Sequence, residues 1–436
     1  MADRSLSAAA SPKRIVFVSV PAVRVPAVIR WPFLLFVFTL PFEAADLGFT
    51  SSTFSLTKIS GLLFFVACLL YPKRCFTHPP RVLWWFLGYL TLFMLNGLNI
   101  SAAFLGKFFS AFFTLTQLAL LFWTAACLLR EEKLVRSVLF TFSMASLLLS
   151  LGTILHTPGF GSTTEQMHTE ARMTALGHNP NTLALLAVFA AVILIGLLLD
   201  KTVRSPWRKA CLAVLTLPLF LLIVQTGSRA AFGALIIGIS LYLLPYRGAK
   251  QKLVRMIWAV LTIVGVVCMA ISNPVSSARW EKAYEGNTAG RDKIYPAAID
   301  MISERPLFGW QPVVAQYELE RRVYNAGGSK SAHNLFLHLL MEGGIVGTLP
   351  FLVALWLCVR AAWKARTGPL GMLPLALLVA VLAYCMTHST LNKKPLWLIL
   401  SLAAVSPAFV ARGQKGRVKG ALEKRPLPLV KIKLQA

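Results

Sequence analysis

The chain has 436 residues, 56% of them hydrophobic and 14% charged, yet 44 Lys and Arg stand against 17 Asp and Glu, a formal charge of +27. A nucleic-acid binder carries far more charge and less apolar content, so no nucleic-acid partner is expected; a set of soluble domains, which the length would allow, cannot be this apolar. A bilayer core about 30 Å thick takes roughly 20 apolar residues per helix, and twelve such helices would use about 240 residues, close to the apolar share.

Apolar stretches fall at residues 27–43, 56–71, 82–99, 103–129, 137–156, 180–199, 209–225, 230–246, 256–272, 332–359, 369–388 and 395–411, with Pro32 and Pro41 interrupting the first. They predict an all-α integral membrane protein of about twelve transmembrane helices. The expected organisation is an N-terminal segment 1–26, helices one to nine within 27–272, a large outer loop 273–331, helices ten to twelve within 332–411, and a basic tail 412–436.

An even count puts both termini on one side, and the basic residues choose which. The segments on that side contain Arg4, Lys13, Arg14, Arg24 and Arg30; Lys73, Arg74 and Arg81; Arg130, Lys133 and Arg136; and Lys201, Arg204, Arg208 and Lys209. They continue with Arg247, Lys250, Lys252 and Arg255; Arg360, Lys364 and Arg366; and the tail from Arg412 to Lys433. Together they hold 30 of the 44 basic residues and five of the 17 acids, a net +25. The positive-inside rule assigns this face to the cytoplasm. The opposite face is nearly neutral, and no signal peptide is expected from the basic start. The seven cysteines lie in spans or inner loops without disulfide or zinc spacing.

Inner loops are short, so chemistry is expected outside, in residues 157–179 and 273–331. Within the second, Ile294, Ala297, Ala298, Met301 and Ile302 follow helical spacing, which predicts an amphipathic helix ended by Pro306 and Gly309. The next apolar helix follows a Gly/Ser-rich turn, with Ser329 or Ser331 as N-cap and His333 in the first turn, where the helix dipole disfavours imidazolium. Arg229 occupies a short outer turn after Gln225-Thr226-Gly227-Ser228, and arginine at membrane depth generally faces a cavity or a partner. Arg291 opens the amphipathic helix, where an anion would also meet free backbone N–H groups. Lys58 and Lys107 lie near outer helix ends and Arg172 in the first outer loop; each alone could pair with an acid such as Glu43 or Asp46, but together they outline an outward cationic cup. Arginines bind phosphate oxygens bidentately, and a lipid-linked pyrophosphate places its phosphates at this depth. There is no Asp-x-Asp and no Walker-type glycine loop, so no metal and no cofactor is expected. His156, His168 and His178, with Glu165 and Glu170, match no defined metal site.

At these residues the chain resembles the O-antigen ligase family. The family pattern of His, then Asn, Ser or Gln, nine residues, Gly, two residues and Gly is similar to His333-Asn334, Leu335 to Gly343, and Gly344-Ile345-Val346-Gly347. Gly177-His178-Asn179-Pro180-Asn181, Thr226-Gly227-Ser228-Arg229 and Glu304-Arg305-Pro306-Leu307-Phe308-Gly309 also resemble family segments. The resemblance implies a metal- and ATP-independent inverting glycosyltransferase of lipopolysaccharide biosynthesis. It would move a glycan from undecaprenyl pyrophosphate to lipid A-core at the periplasmic face of the bacterial inner membrane, with both termini cytoplasmic and membrane lipids around it. His333 is then expected as general base, with Arg229 and Arg291 holding the pyrophosphate. Arg172, Asn181, Lys293, Asn334, Lys58 and Lys107 are expected to contact substrate.

The same histidine pattern occurs in protein O-oligosaccharyltransferases, which usually carry extra soluble sequence at the C-terminus, and related O-antigen polymerases have similar regions. A twelve-helix transporter is the alternative of another class. Its expected long loop between helices six and seven is short here, Asp200 to Lys209, and Glu342 is the one deep carboxylate, placed to bond His338 one turn earlier.

Overall fold

The computed structural model describes residues 24–43, 55–157, 160, 172–200, 203, 205–244, 249–286, 288, 290–324 and 328–410. Asp46, Glu165, His168, Glu170, the basic residues 4–14 and the tail from Arg412 lie outside them. Sixteen α-helices run through the described residues. The first eight are α1 Ala27–Thr39, α2 Leu56–Leu70, α3 Pro72–Cys75, α4 Arg81–Asn96, α5 Ala102–Leu128, α6 Glu132–Ile154, α7 Pro180–Leu198 and α8 Pro206–Thr226. The others are α9 Arg229–Ser240, α10 Ala249–Ser272, α11 Pro274–Tyr284, α12 Arg291–Glu304, α13 Val314–Tyr324, α14 Leu335–Lys364, α15 Leu373–Cys385 and α16 Lys394–Val405. Among the described residues the only β-type pairing outside helices with a named partner is a single bridge between Ala175 and His178.

Each of the twelve apolar stretches holds a helix, and the amphipathic helix appears as α12, with Ile294, Ala298 and Met301 buried. Among the described residues, five helices are long and apolar enough to cross a bilayer: α5, α6, α7, α8 and α14. A sixth span arises if α10 and α11, bent by 86°, count as one. The bend has a local cause: Asn273 caps a new helix by accepting from Val275 N and Ser276 N, and Pro274 has no N–H to continue the old one. The same pairing of cap and proline starts α7 at Asn179-Pro180 and α8 at Ser205-Pro206. Five further apolar helices have only 10–17 residues, α15 among them. Thirteen residues of α15 rise about 20 Å, less than a bilayer core.

The centre of the bundle is α7, which is apolar all round and 83% buried; a helix without a polar face needs neighbours on every side. Beside it, Phe86, Phe122, Phe351 and Trp397 from α4, α5, α14 and α16 pack ring against ring. The exterior is apolar too, with Ile257, Leu261 and Val264 exposed on α10 and Leu62 and Leu69 on α2. Polar backbone closed within helices under an apolar surface is what lipid demands, and the chain is an all-helical membrane-integral protein.

The two sets of loops gather at opposite ends. At one, Val25 N donates to Glu131, Arg130 donates to the His78 carbonyl, and Arg136 pairs with Asp200 and Glu132. At the other, His178 Nε2 lies 2.9 Å from the Pro41 carbonyl, Lys394 pairs with Glu43, and Ser276 Oγ donates to the Val224 carbonyl. Here a second, smaller core forms from Ile294, Ala298 and Met301 of α12, Ala315 and Leu319 of α13, and Ala332 and Met341.

That outer layer is locked to the bundle at a break in α14. Gly344 has φ 58° and ψ −163°, which frees two N–H groups: Ile345 N donates to Pro306 O at 2.8 Å and Val346 N to Leu307 O at 3.0 Å. Trp310 N donates back to Met341 O at 2.7 Å, and Asn96 Nδ2 reaches both Phe308 O and Glu342 O at 2.8 Å. A Cβ on Gly344 would meet Leu307 O at 2.4 Å, and one on Gly309 would meet Met341 O at 2.6 Å. Gly309 and Gly344, one from each motif segment, are therefore two halves of one backbone interlock. Glu342 holds the same loop: its Oε1 accepts from Val313 N and Gln316 Nε2, both at 3.1 Å, while His338 Nε2 stands 3.5 Å from Oε2.

Candidate active site at the outer end of the bundle

A cavity of about 340 Å³ opens where α7, α9, α11, α12 and α15 meet, lined by Arg172, Asn181, Arg229, Ala230, Gly233, Ala234, Ile237, Arg279, Arg291, Ala383, Thr387 and His388. Four guanidiniums converge there, and no carboxylate is among the described lining residues. Below them the wall turns to small and apolar side chains on the Arg229–Gly233–Ile237 face of α9. A charged head over an apolar slot is the shape of a lipid phosphate.

Each arginine arrives by a local device. Gly227, in the left-handed conformation, ends α8 and reverses the chain, so Arg229 becomes the first residue of α9. Arg172 is held across that turn by Nε donating to the Thr226 carbonyl at 2.9 Å and Nη2 to Asn181 Oδ1 at 3.0 Å. Arg279 comes from α11, which the Ser276–Val224 bond fastens to the end of α8. Arg291 follows Gly290, φ 79°, at the start of α12, and its Nη2 donates to the Thr387 carbonyl at 3.2 Å. Carbonyl acceptors orient a guanidinium.

His333 stands beside the cavity, outside its lining. The sequence places it in the first turn of a helix capped by Ser329 or Ser331; instead Asn334 is the cap, accepting from Phe336 N and Leu337 N, and α14 begins at Leu335. An asparagine carbonyl reaches those two N–H groups from the cap position, and this leaves His333 before the helix with φ 49°. Ser331 holds it from behind, its Oγ accepting from His333 N at 3.2 Å and donating to Ser389 Oγ at 3.1 Å. Tyr295 of α12 donates toward the His333 and Met386 carbonyls at 3.5 and 3.3 Å, so α12 bridges the two turns. Burial, then Arg291 and Lys330, hold the His333 imidazolium below the usual histidine range.

The ring of His388 lies 6.4 Å from that of His333, nearly perpendicular, and stacks on Tyr384 at 4.3 Å. Burial, followed by Arg291, His333 and Arg172, pushes the His388 pKa down to about 3. Both imidazoles are neutral at neutral pH.

Of the residues expected from sequence, the structure brings Arg172, Asn181, Arg229 and Arg291 into the cavity and sets His333 next to it. Asn334 is engaged in capping. Lys107 is exposed and bonds Tyr317, over whose ring it sits at 4.6 Å; Lys58 and Lys293 are exposed on α2 and α12 away from the lining. Arg279 and His388 were not read from the sequence. His388 is hidden at the end of an apolar run, where the polar string Thr387-His388-Ser389-Thr390 is the available signal. Arg279 sits in a polar stretch whose helix has no strong apolar stripe to orient it.

No curated protein matches the chain. Residues 212–352 match the family described as O-antigen ligase, a span from α8 into α14 that contains Arg229, Arg279, Arg291, His333 and both halves of the glycine interlock. This matched region, which supplies three of the cavity's four arginines, supports an assignment to the O-antigen ligase family.

Proposed function

We propose that the chain transfers a glycan from undecaprenyl pyrophosphate to a sugar hydroxyl of lipid A-core at the periplasmic face of the bacterial inner membrane, in lipopolysaccharide biosynthesis. The family domain carries the coarser statement, an enzyme of O-antigen ligase or polymerase type. The observation that carries the finer one is the convergence of Arg172, Arg229, Arg279 and Arg291 over an apolar slot, within reach of two neutral histidines.

A glycosyl diphosphate diester has two negative charges and gains a third as the glycosyl bond breaks. Arginines fixed in a partly enclosed site bind that developing charge more strongly than they bind the ground state, which lowers the barrier. A diphosphate so held leaves without a separate acid. The acceptor oxygen attacks the anomeric carbon opposite the leaving group, inverting it, and His333 takes the hydroxyl proton. The energy comes from the glycosyl diphosphate bond, so ATP has no place in the scheme, and the arginines supply the charge stabilisation for which a metal would otherwise be needed.

In this reading twelve apolar segments cross the membrane, residues 273–331 lie in the periplasm, and both termini are cytoplasmic. The +25 carried by one set of loops, and the meeting of each set at its own end of the bundle, support that orientation. A polymerase would use the same donor site with a second lipid-linked glycan as acceptor. A transporter is disfavoured because Glu342, its one deep carboxylate, anchors the 305–313 loop through Val313 and Gln316.

The test is reconstitution of the purified chain with lipid-linked O-antigen and lipid A-core. A ligated product is expected. Lengthened donor chains without ligation would replace the ligase with a polymerase, and no glycosyl transfer of either kind would overturn the reading.

A further inference from the structure

The turn after α15 contains a hydrogen-bond chain that fixes the tautomer of His388. Thr387 Oγ1 donates to the Tyr384 carbonyl at 3.1 Å, and the same oxygen lies 3.1 Å from His388 Nδ1. A hydroxyl has one proton, and a carbonyl can only accept. With that proton on Tyr384 O, His388 Nδ1 must be the donor to Thr387, and a neutral imidazole protonated at Nδ1 has a bare Nε2. The Nε2 atom makes no hydrogen bond among the described residues, and the ring lines the cavity. The Thr387 carbonyl meanwhile receives Arg291 Nη2, so one dipeptide fixes both the guanidinium and the imidazole.

A bare nitrogen is a poor neighbour for a phosphate oxygen, since both are acceptors. It suits a hydroxyl. The perpendicular His333 ring stands 6.4 Å away, centroid to centroid, a separation that leaves room for one hydroxyl oxygen between facing ring nitrogens.

We propose that His388 is a second catalytic histidine, whose Nε2 receives the acceptor hydroxyl's proton while His333 binds the same oxygen from the other side. This rests on the glycosyl-transfer reading and revises one assignment within it. In the step, the acceptor oxygen forms its bond to the anomeric carbon as the bond from that carbon to the phosphate oxygen breaks. The electron pair of the broken bond stays on the diphosphate, and the hydroxyl proton moves to His388 Nε2, giving an imidazolium that later releases it to water. Burial disfavours that imidazolium most, followed by Arg291, His333 and Arg172, and both arginines line the cavity in which the diphosphate would be held.

The experiment measures kcat, acceptor KM and donor affinity for the full chain in lipid nanodiscs. His388→Ala is expected to lower kcat about 10²–10³-fold with donor affinity within twofold. His388→Gln, whose amide reaches the Nε2 position, should recover acceptor KM and leave kcat low, whereas His388→Asn should recover neither. Thr387→Val, which frees the tautomer while the stack on Tyr384 remains, should lower kcat about tenfold, and Thr387→Ser should restore it. The assignment is overturned if His388→Ala keeps kcat within threefold of the parent while His333→Ala abolishes transfer. Should His388→Ala fail to fold, equal kcat in Thr387→Val and Thr387→Ser overturns it instead. No transfer by the unsubstituted chain would overturn the glycosyl-transfer reading itself, and this assignment with it.

Discussion

The two ends of the bundle both hold arginines, and Arg136 and Arg291 show two ways of fixing one. At the basic end Arg136 pairs with Glu132 and with Asp200, so its charge is cancelled by carboxylates. At the other end Arg291 is held by the carbonyl of Thr387, which orients its guanidinium without neutralising it. A paired arginine fastens helices. An arginine aimed by a carbonyl, as Arg291 is, keeps its charge, and in a low-dielectric setting several arginines lining one cavity favour an anion.

The comparison breaks first at the cavity. Arg291→Ala and Arg229→Ala should each lower transfer about 10²–10³-fold, because each removes a charge that meets the leaving diphosphate. The Lys variants should recover only part, since a point charge replaces a bidentate fork. Initial rates with purified protein decide it; unchanged rate and donor affinity in both Ala variants would remove the arginines from the site.

How much of this could be read from the chain follows from what each signal depends on. The apolar runs and their punctuation by Asn179-Pro180, Ser205-Pro206 and Asn273-Pro274 are local, and helices begin where those caps stand. The amphipathic spacing of Ile294, Ala298 and Met301 is local too, and α12 buries them. Arg229 stands out because arginine is costly at membrane depth, and Arg291 because it opens the amphipathic helix, where an anion would meet free N–H groups. The interlock of Gly309 with Gly344 joins segments 35 residues apart in sequence, so the motifs were visible while their contact was not. His388 depends on a tertiary approach to His333 that no periodicity encodes, and the cap of α14 fell to Asn334 because serine and asparagine compete for the same N–H groups over a few residues.

The interlock gives the next largest effect. Gly344→Ala asks a side chain to adopt φ 58° with its Cβ against Leu307 O, and should cost about 3 kcal/mol. It should also detach the 305–313 loop, exposing it to limited proteolysis and impairing transfer through misplacement of His333. Gly347→Ala, where a Cβ meets nothing within 4 Å, is the control and should behave as the parent. Equal proteolytic half-lives for the two variants would contradict the lock.

A pH profile sharpens the same contrast by a smaller factor. The folded pKa values of His333 and His388 both lie below 6.5, the second at about 3, so the neutral forms dominate at neutral pH and are lost only on the acid side. The kcat/KM of the parent should stay flat as pH falls through 6.5, then decline about tenfold per unit below the His333 pKa. The charged groups that hold the pair down are Arg291, Arg172 and Lys330. In Arg291→Ala the acid limb should move up toward 6.5. A limb at 6.5 in the parent, unmoved by the substitution, would mean that neither histidine feels the cavity.

The smallest effect on chemistry is expected at the paired end, and it tests the distinction itself. The Asp200 carboxylate is 8% exposed and Arg136 24%, so Arg136→Ala leaves a largely buried acid without its main partner and should cost about 2 kcal/mol of stability. Asp200→Asn should cost less, because the amide still accepts a hydrogen bond. Neither touches the cavity, so kcat and donor affinity should match the parent in whatever protein remains folded. If Arg136→Ala instead lowered kcat in folded protein as far as Arg291→Ala does, the contrast between Arg136 as scaffold and Arg291 as site would fail. The four-arginine cavity would then lose its special standing.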